Sequence, residues 1–144
     1  MPKHEAPFEV VREWIGKAEN DLKNASFTLT MGDDCPTDTI CFHAQQCVEK
    51  YIKAFLVWNG TPFPKTHNLP SLISLLPDNM PVLLSDIEQE LLTDYATVTR
   101  YPGEMEEISI SEAAKAVKLA RKVRKILRSL LPREVRLLIH QKKL

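Results

Sequence analysis

Apolar residues at Phe8, Val11, Ile15, Ala18, Leu22, Ala25 and Leu29 recur in alternating steps of three and four. On a helix turning about 100° per residue this spacing draws one stripe along the whole length, the seam of a packed bundle. A chain with such a stripe must cover it with other helices. Pro7 suits the first turn, where its missing N–H costs nothing, and Gly32 falls just past the end, where a left-handed cap is wanted.

A second helix is expected from near Pro36 to Asn59-Gly60, with Asp33 and Asp34 supplying acceptors and negative charge at its amino end. Ile40, Ala44, Cys47, Val48, Tyr51, Ala54, Phe55 and Trp58 make one broad apolar arc on it. Opposite lie Gln45, Gln46, Glu49, Lys50 and Lys53, which read as either a binding face or the wet side. Phe42, Leu56 and Val57 share that side. A helix apolar on nearly all sides is central in its bundle or also faces a partner chain, so these three residues are expected to form a second contact surface in a homodimer.

The stretch TPFPKTHNLPSL is a stiff connection, followed by a short helix from about Leu69 to Leu76 with Asn68 as its N-cap. From about Val82 the set Leu84, Ile87, Leu91, Tyr95 and Val98 predicts a further helix, with Ser85 to Glu88 as a capping box and Pro102-Gly103 as its stop. Ser109 to Glu112 opens another, whose seam is Ala113, Ala116, Ala120, Val123, Leu127 and Leu130. No stretch alternates with period two, so strands are not expected. The fold class is all-α: an up-and-down four-helix bundle with an additional short helix in the middle connection. Residues 1–132 form the bundle, and 133–144, beyond Pro132, a tail or short helix.

At 144 residues the chain fits one core. No apolar run approaches the roughly 18 residues that cross a bilayer. The charged start MPKHEAPFEV lacks a signal-peptide core, so a cytoplasmic location and no membrane partner are expected. The three cysteines, Cys35, Cys41 and Cys47, lack C-x-x-C spacing and are read as buried free thiols, with no metal site. The net charge of zero hides an asymmetry: residues 111–144 carry +9 and residues 1–110 carry −9. The basic face of Lys115, Lys118, Arg121, Lys122, Arg124, Lys125 and Arg128 either pairs with the acidic part of the chain or meets phosphates. It has no aromatic residues interleaved for stacking on bases.

Signatures for dinucleotide, P-loop, zinc-protease and serine-hydrolase sites are absent, and no cofactor is implied. Asp33-Asp34 reads as capping in preference to metal binding. Arg100, in Arg100-Tyr101-Pro102-Gly103, is expected in the last turn of a helix. There it either caps carbonyls or clamps a phosphate beside the Tyr101 ring. His67 either fixes its loop or serves as acid or base, and His43 reads as a boundary histidine.

The motifs A-x-x-D-L-x-x-A over Ala18 to Ala25, F-H-A-Q-Q-C-V-E-K-Y-I-K-A-F-L over Phe42 to Leu56, T-H-N-L over Thr66 to Leu69 and T-R-Y-P over Thr99 to Pro102, followed by an alanine-rich last helix, resemble HEPN domains. The resemblance implies a helical bundle that commonly dimerises. It also implies a partnership with a minimal nucleotidyltransferase in a toxin and antitoxin pair, and nucleotide or RNA binding. Many such proteins are metal-independent ribonucleases with an arginine and, a few residues on, a histidine. Here no histidine follows Arg100 until His140. Arg133 and His140 have six residues between them but lie beyond Pro132. The resemblance therefore implies a dimeric nucleotidyltransferase partner, with Lys50, Lys53, His67, Arg100 and Tyr101 as nucleotide-binding candidates chosen by side-chain chemistry. A ribonuclease toxin using Arg100 with His67 or His140 is the alternative, and a non-catalytic helical interaction module a further one.

Overall fold

The computed structural model describes residues 7–136. Its helices are α1 (Pro7–Leu29), α2 (Thr37–Trp58), α3 (Leu69–Ile73), α4 (Asp86–Thr97) and α5 (Ile110–Leu130), with a 3-10 turn at Gly32–Asp34. Among the described residues there is no strand. The all-α class holds, with the short α3 in the middle connection.

Pairings along the helices give the directions. Phe8 at the start of α1 stacks on Trp58 at the end of α2, while Asp21 late in α1 meets His43 early in α2. Those two helices are antiparallel. Tyr95 late in α4 contacts Cys41 early in α2, and Arg128 late in α5 reaches Tyr51 late in α2. The bundle therefore runs up, down, up, down. Helix α2 is central, packing on α1, α5, α4 and α3.

The seams lie where their spacing puts them. Val11, Ile15, Ala18, Leu22 and Ala25 of α1 are buried, as are Ala113, Ala116, Ala120, Val123 and Leu127 of α5. Leu130 departs from its seam and is 41% exposed. The alanines keep the helix axes close, so packing there rests on small side chains meeting backbone ridges. Gly32 and Gly60 both take positive φ, 77° and 73°, where a side chain would be strained. They end α1 and α2.

Several local expectations are corrected. Asp33 and Asp34 do not cap α2: they form the 3-10 turn, and the N-cap position is Pro36, with no side-chain cap bond. Helix α4 starts at Asp86 rather than near Val82, because the Ser85–Glu88 box, with both reciprocal bonds present, fixes its first turn. Val82 and Ile87 consequently point outward, 77% and 79% exposed. Helix α4 also ends at Thr97, so Arg100 lies beyond its last turn and does not cap it. In α5 only half of the expected box forms: Ser109 accepts from the Glu112 N–H, and the Glu112 carboxylate turns to the Tyr95 hydroxyl. Leu56 is fully buried within this one chain, which removes it from the surface it was expected to share with Phe42 and Val57. No helix among the described residues is long and apolar enough to cross a membrane.

Candidate functional site

The side of α2 opposite its apolar arc is a buried polar network, neither a free binding face nor a wet side. Gln45, Gln46, Glu49 and Lys53 are all at most 8% exposed. Residues four apart on a helix lie one above the other, so Gln45, Glu49 and Lys53 form a column. Gln45 Nε2 donates to Glu49 Oε1 at 2.9 Å, Lys53 Nζ to Glu49 Oε2 at 2.8 Å, and Gln46 Nε2 to Gln45 Oε1 at 2.7 Å. The proline-rich connection closes over the column: His67 Nδ1 lies 2.8 Å from Glu49 Oε1. The Lys53 ammonium sits 5.5 Å from the Trp14 ring centre and 5.8 Å from that of Phe63. Burial works against the charge of Glu49, but bonds from Lys53, Gln45 and His67 outweigh it and hold the carboxyl below its ordinary value.

Two further networks tie α2 to α1 and α5. Asp21 joins His43 Nδ1 at 2.8 Å and Lys50 Nζ at 2.6 Å. Glu19 receives Arg124 Nε at 2.6 Å and Nη2 at 3.1 Å, together with the Tyr51 hydroxyl. Burial again opposes ionisation of Glu19, and the Arg124 and Tyr51 bonds override it to lower the carboxyl below its usual range. Tyr51 moves the other way, its hydroxyl pushed up by burial and by the Glu19 carboxylate. The acidic first part of the chain thus takes Arg124 from the basic face of α5. His43 belongs to Asp21 and is no partner for Cys41, whose thiol burial pushes up to about 11. All three cysteines are free and buried.

Arg100 stands apart from these networks. It lines a cavity of about 260 Å³ where the first turn of α2, the end of α4 and the loop into α5 converge, with Asp38, Thr39, Phe42, Tyr95, Val98 and Ile108. Among the described residues its one hydrogen bond runs from Nη1 to the Glu106 carbonyl at 3.2 Å. Tyr95, hydrogen-bonded to Glu112, forms part of the wall; Tyr101, next in the chain after Arg100, is 61% exposed and is not part of the lining. The chemistry on offer is one guanidinium, the Asp38 carboxylate, which accepts from the Thr39 N–H, the hydroxyls of Thr39 and Tyr95, and aromatic edges: the guanidinium can bind an anion on the side away from Asp38, and a ring can be stacked upon. Among the described residues no histidine lines the cavity.

Residues 11–130 match the family model described as HEPN domain. The chain belongs to the HEPN family. Among solved structures, a crystal structure of TT1696 from Thermus thermophilus is similar to this HEPN chain, 27% identical with a TM-score of 0.68 over 84% of this chain and 98% of that one. No curated protein matches.

The nucleotide-binding candidates therefore separate. Lys53 and His67 meet on Glu49, Lys50 is held by Asp21, and Arg100 faces the other cavity with Tyr101 beside it. From Phe42 the rise along α2 is about 12 Å to Lys50 and about 16 Å to Lys53, so a phosphate held at Arg100 is not shared with the lysines. His140 lies outside the described residues, as does its spacing with Arg133. The hub role of Glu49 is not legible in the sequence, although its i−4 and i+4 partners Gln45 and Lys53 are visible there. Asp38, Phe42 and Tyr95 as cavity walls have no sequence signal, because they come from two helices far apart in the chain.

Proposed function

We propose that this HEPN protein is the cytoplasmic, dimeric and non-catalytic partner of a minimal nucleotidyltransferase in a toxin and antitoxin pair, and that it takes the phosphate of a nucleotide at Arg100 beside Tyr101. One observation carries the reading: Arg100 lines an open cavity and is satisfied by a single backbone carbonyl, whereas Lys50, Lys53 and His67 each have a carboxylate. A guanidinium so placed retains donors for a phosphate, and Tyr101 presents an exposed ring for a base. Phe42, Val98 and Met105, between 40% and 43% exposed, supply apolar area for a second chain.

The sequence spacing, with no histidine in the few residues after Arg100, favours partner over ribonuclease. The test is co-expression with the product of the neighbouring reading frame, followed by size-resolved purification and mass spectrometry for bound nucleotide. Co-elution of the two chains is expected, and RNA incubated with the protein in chelator should stay intact. A chain that elutes alone, or that cuts RNA in a manner lost with Arg100→Ala, overturns the reading.

A further inference from the structure

We infer that the groove between α1 and α5, remote from Arg100 in its lining residues, is a binding site for a single-stranded polynucleotide. It is an open groove of about 830 Å³ whose walls include Lys23, Asn24, Ser26 and Phe27 of α1 and Arg121 of α5. The Phe27 ring is 76% exposed, so a large apolar surface stands in water beside a cation. Helix α5 alone has cations and no aromatic for a base to stack on; packing against α1 brings Phe27 to it across more than 90 positions of sequence.

Among the described residues neither Arg121 nor Lys23 has a carboxylate partner; the exposed carboxylates nearest in sequence are Asp33 and Asp34, just past the lining residue Thr30. Arg121 Nη2 donates to the Ser26 hydroxyl at 2.7 Å, a neutral acceptor that orients the guanidinium without cancelling it. The carboxylates of the α1 stretch from Gly16 to Leu29 are Glu19 and Asp21, each already bonded to a cation. The carboxylate of α5 is Glu112, bonded to Tyr95. Beyond Arg121 the strip continues over exposed Lys118, Lys122 and Lys125, spaced so that neighbours lie about 5–6 Å apart on one helix face.

Flat cationic strips alone bind any polyanion; an exposed ring set among them selects a strand whose bases are free to stack. A duplex keeps its bases stacked on one another and offers Phe27 none. Phosphates on Lys23 and Arg121 in the groove and on Lys118 and Lys122 beyond it, with one base on Phe27, use its cations and its exposed ring.

The experiment is fluorescence anisotropy of a labelled oligouridylate of about a dozen nucleotides, titrated with the full chain from about 50 to about 200 mM salt. Binding is expected to fall with salt, with a log–log slope near about −3 for four phosphate contacts. Phe27→Ala is expected to weaken it about tenfold. Arg121→Gln should flatten the slope by about 0.7. Both groove side chains are exposed, and unaltered circular dichroism of the variants certifies their fold. Absence of binding at the lowest salt, wild-type affinity in Phe27→Ala, or displacement by polyglutamate as effective as by unlabelled RNA of equal charge each overturns the inference. The last outcome would mark the groove as a surface for an acidic protein. Loss of binding in Arg100→Ala would instead assign the strand to the cavity at Arg100.

Discussion

Glu19 of α1 and the Arg124 guanidinium of α5 meet at two points, 2.6 Å and 3.1 Å, with Tyr51 of α2 completing the carboxylate's shell. Three helices are pinned at one place by charges that are partly shielded from water. The arrangement fixes the register of the bundle where small alanines pack and where apolar contact alone would permit sliding.

Removing one half of that pairing leaves the other half short of partners. Arg124→Ala is expected to lower stability by about 2 kcal/mol, the scale of charge-assisted bonds. Urea denaturation checks this, and Tyr51→Phe should cost less because it leaves the two-point pairing in place.

Glu49→Gln should be more severe, about 3–5 kcal/mol, because it strands the Lys53 ammonium inside the protein. Replacing both partners removes the stranded charge. The double variant Glu49→Gln, Lys53→Met is expected to recover part of the loss, and a double-mutant cycle on melting curves gives the coupling directly.

Acid should unfold the protein through the same groups. Glu19 and Glu49 both have folded values below the ordinary carboxylate value of 4.5, so each binds its proton less readily in the native state than in the unfolded chain. Their stabilisation is complete above that ordinary value and is lost as pH falls from it through the lower folded values. Denaturation midpoints measured between about pH 6 and about pH 2 should drop across that window. The drop should be smaller in Glu49→Gln.

Cys41 should be inert in the native protein. With its thiol at about 11 instead of 9.0, the thiolate fraction at neutral pH is about a hundredfold below that of a free cysteine. Alkylation by iodoacetamide, followed by mass spectrometry, should modify Cys41 only after denaturant is added.

The parts of the fold legible in the sequence are those governed by local periodicity and by the chemistry of helix ends. The seams of α1 and α5 follow from steps of three and four, and the Asn68 and Ser85 caps from the preference of short polar side chains for free N–H groups. Ile87 is misplaced by periodicity because it keeps helical spacing with Leu84 and Leu91, while the capping box turns that position outward. The polar side of α2 is harder still. Gln45, Glu49 and Lys53 have the composition of a wet surface, and only the fold shows that His67, Trp14 and Phe63 close over them. Of the candidate site, Arg100 and Tyr101 can be singled out by type, but the cavity that Arg100 lines is walled by Phe42 and Tyr95 from two helices.

The proposed function places ligand recognition on Arg100 and not on the lysines of α2. Titrating a nucleoside triphosphate into the purified protein by calorimetry, with Arg100→Ala and wild type compared under the same conditions, measures this without an intermediary. Arg100 is satisfied by a single backbone carbonyl, so the variant should keep its melting temperature. Wild type is expected to bind, and Arg100→Ala to bind at least about tenfold more weakly, the scale of a lost charged contact. Equal affinity in the two proteins, or no binding by the wild type, would contradict recognition at Arg100.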